Sequence, residues 1–236
     1  MGSKPKSAEI HPGPGFRVRK TIERSPPSLI EKFRLFETPD ISDLLNRLYT
    51  MSSEIHNVVN DLPIVGPACT VKVFPGDNLM VHKALDIVKA GDVVVVDASG
   101  CRSNAVLGDL VATKAKHRGV AAFVVDGLIR DLPAMREVGL PVFARGVTPV
   151  GPLHRGPGEI NYPVSCGGIV VNPGDIILGD MTGVVVVRRD FADDVLMRAF
   201  AQKEALLGYV TNVRRGVFSN DWVDNLLDHS GCVITD

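Results

Sequence analysis

Apolar positions follow two different periods over the middle of the chain. Residues 93–96 and 121–125 are unbroken apolar runs, a pattern typical of strands that are buried on both faces of a sheet. Residues 79–89 and 132–138 place apolar side chains at helical spacing, and a glycine closely follows each segment. The alternation of these segments predicts a series of α/β units.

The flanking segments extend this prediction in both directions. Residues 68–74 alternate as a strand does, and a loop at 97–100 leads to an expected helix over 104–118. Ser28 begins a helical pattern, and Ser42 is the expected N-cap of a second helix. Further strands are expected at 141–144, near 164, and at 169–171, 176–178 and 184–187, followed by a helix over 191–207. The whole predicts an α/β fold, a sandwich or barrel-like sheet flanked by helices.

Both ends of the chain differ from this pattern. Residues 1–28 hold five prolines and many charges, which predicts a loose N-terminal arm before a domain over 29–207. Residues 208–236 are polar and are expected to be irregular, except for an apolar cluster around Trp222. We expect that cluster to pack on the body or on a neighbouring subunit.

Composition excludes several classes of function. A net charge of −1 predicts no general affinity for nucleic acid or for an acidic membrane surface. No apolar stretch approaches the ~20 residues of a membrane span, and no apolar signal core follows Met1, so a cytoplasmic protein is expected. The four cysteines are far apart, which is typical of reduced thiols and not of a zinc site.

The candidate chemistry lies in two short segments. Twenty residues separate Asp109 from Arg130, which Asp131 follows directly, and this interval is long enough for a helix, a strand and a turn that return the chain. Carboxylates are hard oxygen ligands for Mg²⁺, and arginine binds a carboxylate through two hydrogen bonds. The alternative is a surface ion pair in an ordinary loop.

Other residues are weaker candidates. Arg145 could bind a distal carboxylate or form a loop ion pair, and residues 154–161 could read the substrate or only shape their loop. Asp77 and Asn78 have the pattern of a helix cap, and His82 has that of an exposed histidine on the helix that follows. Asp43 could act from a neighbouring subunit. A Schiff-base aldolase would need a desolvated lysine; none of Lys72, Lys83, Lys114 and Lys116 lies in an apolar run.

Residues 42–188 resemble the class II 4-hydroxy-4-methyl-2-oxoglutarate / 4-carboxy-4-hydroxy-2-oxoadipate aldolases, whose relatives include the regulator-of-ribonuclease-activity A proteins (RraA-like). Two segments that carry the resemblance read GDLVA from Gly108 and DGLIRD from Asp126. Family members have either Asp, twenty residues and Arg-Asp, or Gly with a further acid three residues after Arg-Asp. Ala134 occupies that last position, so the first pattern applies. The resemblance also rests on residues 66–71, 91–97, 118–120, 141–146, 173–180 and 183–187.

The resemblance implies a swivelling β/β/α-type fold and a role for each site residue. Asp131 would bind a divalent cation, Mg²⁺ or Mn²⁺, and Asp109 would hold water on that metal. Arg130 would bind the pyruvoyl end of the substrate, which Gly108, Asp109, Leu110 and Val111 would cradle. The protein would be a homotrimer or a homohexamer with sites between subunits.

The function that follows is a metal-dependent lyase for a small 2-oxo acid. It would form pyruvate by retro-aldol cleavage, with oxaloacetate decarboxylase activity as a side reaction, since both reactions give the same enolate. Two alternatives remain open at this point. One is a regulatory or binding protein without catalysis, and the other is a lyase, hydrolase or isomerase for an unrelated acid.

Overall fold

The computed structural model describes residue 7 and residues 9–235. The chain divides into two compact units, Met1–Leu196 and Met197–Asp236. Within the described part of the first unit the strands are β1 Phe16–Val18, β2 His56–Asn57, β3 Ile64–Val73, β4 Val93–Leu107, β5 Ala122–Ile129, β6 Val142–Ala144, β7 Gly158–Ile160, β8 Val164–Cys166, β9 Ile169–Val171, β10 Ile176–Asp180 and β11 Gly183–Val187. Its helices are α1 Pro27–Phe33, α2 Thr38–Leu44, α3 Leu79–Ala84, α4 Asp109–His117 and α5 Leu132–Val138.

The central sheet has the strand order β1-β7-β3-β4-β5-β6-β2. Strands β3, β4, β5 and β6 run parallel, and α3, α4 and α5 connect them in turn. This confirms the predicted α/β sheet flanked by helices. Strand β3 is long enough to pair with three strands. Its first residues pair with β10 of the β10–β11 hairpin, and its later ones pair with β4 and β7.

Alternate residues of β4 contribute to two separate cores. Val94 and Val96 pack in a cluster with side chains of α3 and α4, whereas Val93 and Val95 pack in a cluster with residues of β10 and β11. The four side chains are fully buried. A strand covered on both faces needs apolar residues at every position, which explains the unbroken run.

The structure corrects the prediction for residues 97–118. The expected loop at 97–100 and helix from 104 belong to β4, which continues to Leu107, and the helix begins only at Asp109. The register between β4 and β5 shifts between Asp97 and Leu107, so the chain bulges out before it rejoins the sheet. Two hydrogen bonds to residues far away in the sequence fix the backbone of this segment. The Ala105 N–H donates to Val150 O, and the Arg130 N–H donates to Leu107 O.

Two predictions near the N-terminus also need correction. Part of the expected loose arm is bound to the sheet, because β1 pairs with β7 and Arg24 forms an ion pair with Asp92; residues 1–6 and 8 lie outside the described residues. Ser42 is not an N-cap. Helix α2 starts after Glu37, whose N–H donates to Asp40, and Pro39 favours the first turn.

The second unit is more helical than the sequence suggests. A helix, α6 (Ala192–Arg214), passes through the expected boundary at 207, and α7 (Asp221–His229) follows. Helices therefore occupy residues 208–214 and 221–229 of the segment that was expected to be irregular. Acidic residues in the first turn of α7 and His229 in its last turn suit the helix dipole. No residue of α7 is buried, and the packing expected of Trp222 stays a prediction, as do the domain boundaries.

None of the helices formed by residues 9–235 is long and apolar enough to cross a membrane.

Candidate active site

A cavity of about 380 Å³ lies where β4 and β5 end and where α4 and α5 begin. The end of the long loop after β6 forms another part of its wall. Ligand sites of α/β sheets gather at such strand ends. The cavity is lined by Asn78, His82, Leu107, Gly108, Asp109, Leu110, Val111, Lys114, Arg130, Asp131, Pro152 and His154.

The structure therefore brings together all six site residues expected from the sequence. Gly108 is the N-cap of α4, and Asp109 stands in its first turn. The first N–H groups of a helix have no partner within it and are available to an anion. Leu110 is 71% exposed, whereas Val111 is buried in the core.

Asp131 has an unusual backbone conformation for a residue with a side chain. Its φ is 59° and its ψ 37°, in the left-handed region, and it is the N-cap of α5. Such strain persists only where the surrounding structure enforces it and is common at functional sites. The Asp131 carboxylate is packed against Gly108, since a Cβ atom built on Gly108 would lie 2.2 Å from Asp131 Oδ2.

Arg130 is fixed by its backbone, while its side chain retains an unused donor. Its N–H donates to Leu107 O at 3.0 Å. The Nε atom is buried and lies 3.2 Å from Asp131 Oδ2, which makes an ion pair. The direction of this contact does not make it a hydrogen bond, and Nε has no other hydrogen-bond partner among residues 9–235.

Four further residues of the cavity had weak signals in the sequence. Asn78, His82 and Lys114 come from α3 and α4, and His154 comes from the loop after β6. The rings of His82 and His154 meet edge to face with centroids 5.5 Å apart. Burial, and then the charges of Lys114 and His154, lower the pKa of His82. The sequence did not show that His154, a loop residue, lies next to Asn78 at the start of α3.

The other candidates are placed elsewhere. Arg145 does not line this cavity. It forms ion pairs with Asp126 and Glu54, which agrees with the alternative that it makes an ion pair in its loop. Arg155 lines a different, smaller cavity. Asp43 forms an exposed ion pair with Arg47 within its own helix region; its role toward a neighbouring subunit stays a prediction.

The lysines give little support to Schiff-base chemistry. Lys72 forms an ion pair with Asp97, and Lys83 forms one with Asp86. Lys116 donates to Val138 O. Lys114 lines the cavity but is exposed, and an exposed amine lacks the desolvation that activates a lysine nucleophile.

The donors of the cavity suit a hard cation better than a soft one. No group of three or more His, Cys, Asp or Glu side chains among residues 9–235 could hold a metal alone. Mg²⁺ commonly binds through one or two carboxylates and keeps waters or substrate oxygens, whereas Zn²⁺ usually takes three or four protein ligands. Asp109 and Asp131 fit the first arrangement, and the space beside Gly108 admits the Asp131 carboxylate.

A larger cavity, of about 580 Å³, lies between the α1–α2 turn and β10. One of its charged residues is Asp180, which accepts hydrogen bonds from the N–H and the hydroxyl of Thr38. This carboxylate thus caps a helix. The lining also includes Arg34, Glu37 and Asp61, but Arg34 is already paired with Glu31.

Comparisons with known proteins agree with these features. Residues 38–186 match the sequence model of RraA-like proteins, described as Aldolase/RraA. A Halalkalibacterium halodurans protein provisionally named 4-hydroxy-4-methyl-2-oxoglutarate aldolase is 44% identical over 170 residues, which are 72% of this chain and 81% of that protein. The crystal structure of Streptomyces coelicolor RraAS2, described as an unusual member of the RNase ES inhibitor RraA family, has a TM-score of 0.72 at 30% identity, over 78% of this chain and 96% of that one. An uncharacterised Pseudomonas syringae protein has a TM-score of 0.74 at 26% identity, over 84% and 97% of the two chains.

Proposed function

The chain belongs to the RraA-like family, and we propose that it is a divalent-metal-dependent lyase that releases pyruvate from a small 2-oxo acid. The bond broken is the carbon–carbon bond of a 4-hydroxy-2-oxo acid of the 4-hydroxy-4-methyl-2-oxoglutarate or 4-carboxy-4-hydroxy-2-oxoadipate type. The observation that carries the proposal is the meeting of Asp109, Arg130 and Asp131 in one cavity at the start of α4.

Each residue of this set has a distinct task. Asp131 would bind Mg²⁺ or Mn²⁺ directly, and Asp109 would do so through a water molecule. When bound, the cation supplies a Lewis acid beside the 2-oxo group. The guanidinium of Arg130, which lines the cavity, would pair with the pyruvoyl carboxylate. The free N–H groups at the start of α4, over Gly108–Val111, would orient the same end.

The cleavage needs a base and a stabiliser for negative charge. The base takes the proton of the C4 hydroxyl, the C3–C4 bond breaks, and its electron pair becomes part of the pyruvate enolate. Arg130 and the N–H groups of α4 would stabilise the enolate oxygen in place of water. Oxaloacetate gives the same enolate when it loses CO₂, so decarboxylation is expected as a side reaction.

The subunit arrangement is part of the same proposal. We expect a homotrimer or a homohexamer, as the family resemblance implies. Leu110 supports this, because a leucine that is 71% exposed beside the cavity would be covered if a neighbouring subunit closed the site. The mass of the protein in solution, measured by light scattering after size exclusion, would show a monomer if this expectation is wrong.

Pyruvate release tests the activity. The purified protein is supplied with 4-hydroxy-4-methyl-2-oxoglutarate or with oxaloacetate, in Mg²⁺ and then in EDTA. We expect release that EDTA abolishes. Arg130→Ala should lower kcat/KM by about 10²-fold or more, the effect typical of removing a preorganised donor. Arg136→Ala, an exposed arginine on α5, should have no effect.

A second candidate function is regulation of a ribonuclease. It is favoured by the similarity to Streptomyces coelicolor RraAS2, which is described as belonging to an RNase ES inhibitor family. The net charge of −1 would direct such a role to a protein partner and not to RNA. A wild-type protein that binds Mn²⁺ yet releases no pyruvate from either substrate would favour this alternative.

A further inference from the structure

We propose that Nε2 of His154 is the base that removes the C4 hydroxyl proton in the retro-aldol step. The inference rests on the proposed lyase function and assigns its missing proton acceptor. It starts from the hydrogen bonds of Asn78, which determine the tautomer of the His154 ring.

The orientation of the Asn78 amide follows from its surroundings. One end of the amide lies 2.8 Å from Val106 O, and a carbonyl oxygen can only accept. That end must therefore be the NH₂ group, and the Oδ1 atom points the other way. Asn78 is 2% exposed, so water does not offer an alternative arrangement.

The amide orientation in turn determines the state of His154. Nδ1 of His154 lies 2.6 Å from Asn78 Oδ1, which can only accept. Nδ1 must therefore carry a hydrogen, and in the neutral ring the lone pair is on Nε2. None of residues 9–235 forms a hydrogen bond with Nε2. An imidazole whose other nitrogen is held by an orienting group is the usual arrangement of a general base.

The loop that carries His154 is anchored on both sides. The Leu153 N–H donates to Gly76 O, and the Asn78 N–H donates to Leu153 O. The next residue, Arg155, donates its N–H to Asp77 Oδ2 at 2.6 Å. Rigid placement reduces the freedom that a catalytic side chain must lose during the reaction.

The same loop also contacts the substrate-binding arginine. A Cβ atom built on Gly151 would lie 2.6 Å from Arg130 Nη1, so the loop backbone is packed against the guanidinium. Asn104 fixes this contact by donating to Gly151 O at 2.8 Å. The loop thus brings the proposed base and the proposed pyruvate-binding residue to one cavity.

His154 suits this role better than its neighbours in the cavity. His82 has no orienting hydrogen bond among the described residues. Asp109 and Asp131 are assigned to the cation, and Arg130 is a permanent cation. Both Lys114 and His154 are exposed, but only His154 has a hydrogen bond that orients it; none of residues 9–235 forms one with the Lys114 amine.

The proton that leaves the C4 hydroxyl is returned to the product within the same reaction. Nε2 takes the hydroxyl proton as the C4–O bond becomes a carbonyl and the C3–C4 bond breaks. The electron pair of that bond forms the enolate, and the imidazolium then returns the proton to C3. Substrate is converted to pyruvate and a carbonyl product without any oxidant or reductant.

The experiment compares two reactions of one site. Oxaloacetate loses CO₂ without a hydroxyl proton to remove, so His154 matters more for aldol cleavage. In Mg²⁺, His154→Gln should lower kcat for 4-hydroxy-4-methyl-2-oxoglutarate cleavage by about 10²-fold more than kcat for oxaloacetate decarboxylation. His117→Gln, an exposed histidine at the end of α4, serves as the control.

Three results are distinguishable. A selective loss supports the role of His154. Equal losses in both reactions, or retained cleavage, overturn it while the lyase function stands. A wild-type protein inactive on both substrates rejects the lyase function itself and this role with it.

A second measurement needs neither metal nor substrate. Nitrogen-15 spectra of the histidine-labelled protein, recorded at a pH where imidazoles are neutral, report which ring nitrogen carries hydrogen. The signals absent in His154→Gln identify the residue. We expect hydrogen on Nδ1; hydrogen on Nε2 would overturn the proposal.

Discussion

Gly108 and Asp131 approach so closely that a Cβ atom on residue 108 would lie 2.2 Å from the Asp131 Oδ2 atom. The backbone of Gly108 is extended, with φ −139°, so any residue could adopt it. Glycine is needed here because of the space and not because of its conformational freedom. The absence of a side chain at the start of α4 therefore determines where the carboxylate of Asp131 lies.

Substitution of Gly108 should separate activity from stability. In Gly108→Ala the half-exposed Asp131 side chain can rotate away, so we expect the free energy of unfolding to change by only about 1 kcal/mol. The displaced carboxylate should lower Mg²⁺-dependent pyruvate release by about 10²-fold. Gly208→Ala, whose Cβ would meet no atom within 4 Å, is the control. Full activity in Gly108→Ala would show that the Asp131 position is not critical.

The assignment of the carboxylates predicts an order of metal affinities. Asp131→Asn should weaken Mn²⁺ binding more than Asp109→Asn, because the first residue would bind the cation directly and the second through water. We expect a loss of at least ~10-fold for Asp131→Asn, since even outer-shell partners contribute that much. Electron paramagnetic resonance of free Mn²⁺ measures both. Asp86→Asn is the control, and a variant order opposite to this one would contradict the assignment.

The ion pair of Arg24 with Asp92 should contribute strongly to stability. Its two hydrogen bonds are both 2.7 Å long, and the Asp92 side chain is fully buried. Arg24→Ala leaves that carboxylate without its cation, which should lower the free energy of unfolding by about 3–5 kcal/mol. Chemical denaturation measures the change.

An exposed pair provides the comparison. Lys83→Ala removes one of the two cations paired with Asp86, where both side chains are about half exposed, and should lower the free energy of unfolding far less than Arg24→Ala. A loss as small as this in Arg24→Ala would mean that the segment before α1 is not held to the sheet in solution.

The four cysteine thiols should differ in how fast they react with a disulfide reagent. Burial raises the pKa of Cys69 to about 12 and that of Cys166 well above 9.0. At Cys101 partial burial opposes ionisation, but hydrogen bonds from Ser103 and from backbone N–H groups lower the pKa below 9.0. Since the thiolate is the nucleophile, a disulfide reagent near pH 8 should modify Cys101 and exposed Cys232 first.

The pH dependence of this reaction has a definite sign. The rate at Cys101 should rise with pH and be half-maximal below pH 9.0, because the thiolate forms as the pH passes the thiol pKa. Cys101→Ser and Cys232→Ser identify the two fast thiols. Cys69 and Cys166 should react only after unfolding, and rapid modification of either in the native protein would contradict their burial.

Local patterns in the sequence determined much of the framework. The unbroken apolar runs of β4 and β5 follow from burial on both faces, and α5 with Gly139 behind it has the bounds that its periodicity indicates. The spacing of Asp109 from Arg130 also indicated that the two could share a pocket, because one helix and one strand return the chain to the same sheet end, but it left a surface ion pair open.

Only the tertiary structure decided the course of residues 97–107 and the approach of His154 to Asn78. Side-chain periodicity reports which residues of one segment are buried together, but it carries no record of a distant partner. The bulge of β4 depends on Val150 accepting from Ala105, and the state of His154 depends on Val106 accepting from Asn78. Buried backbone groups must find partners wherever the fold provides them, and that requirement is met between segments far apart in sequence.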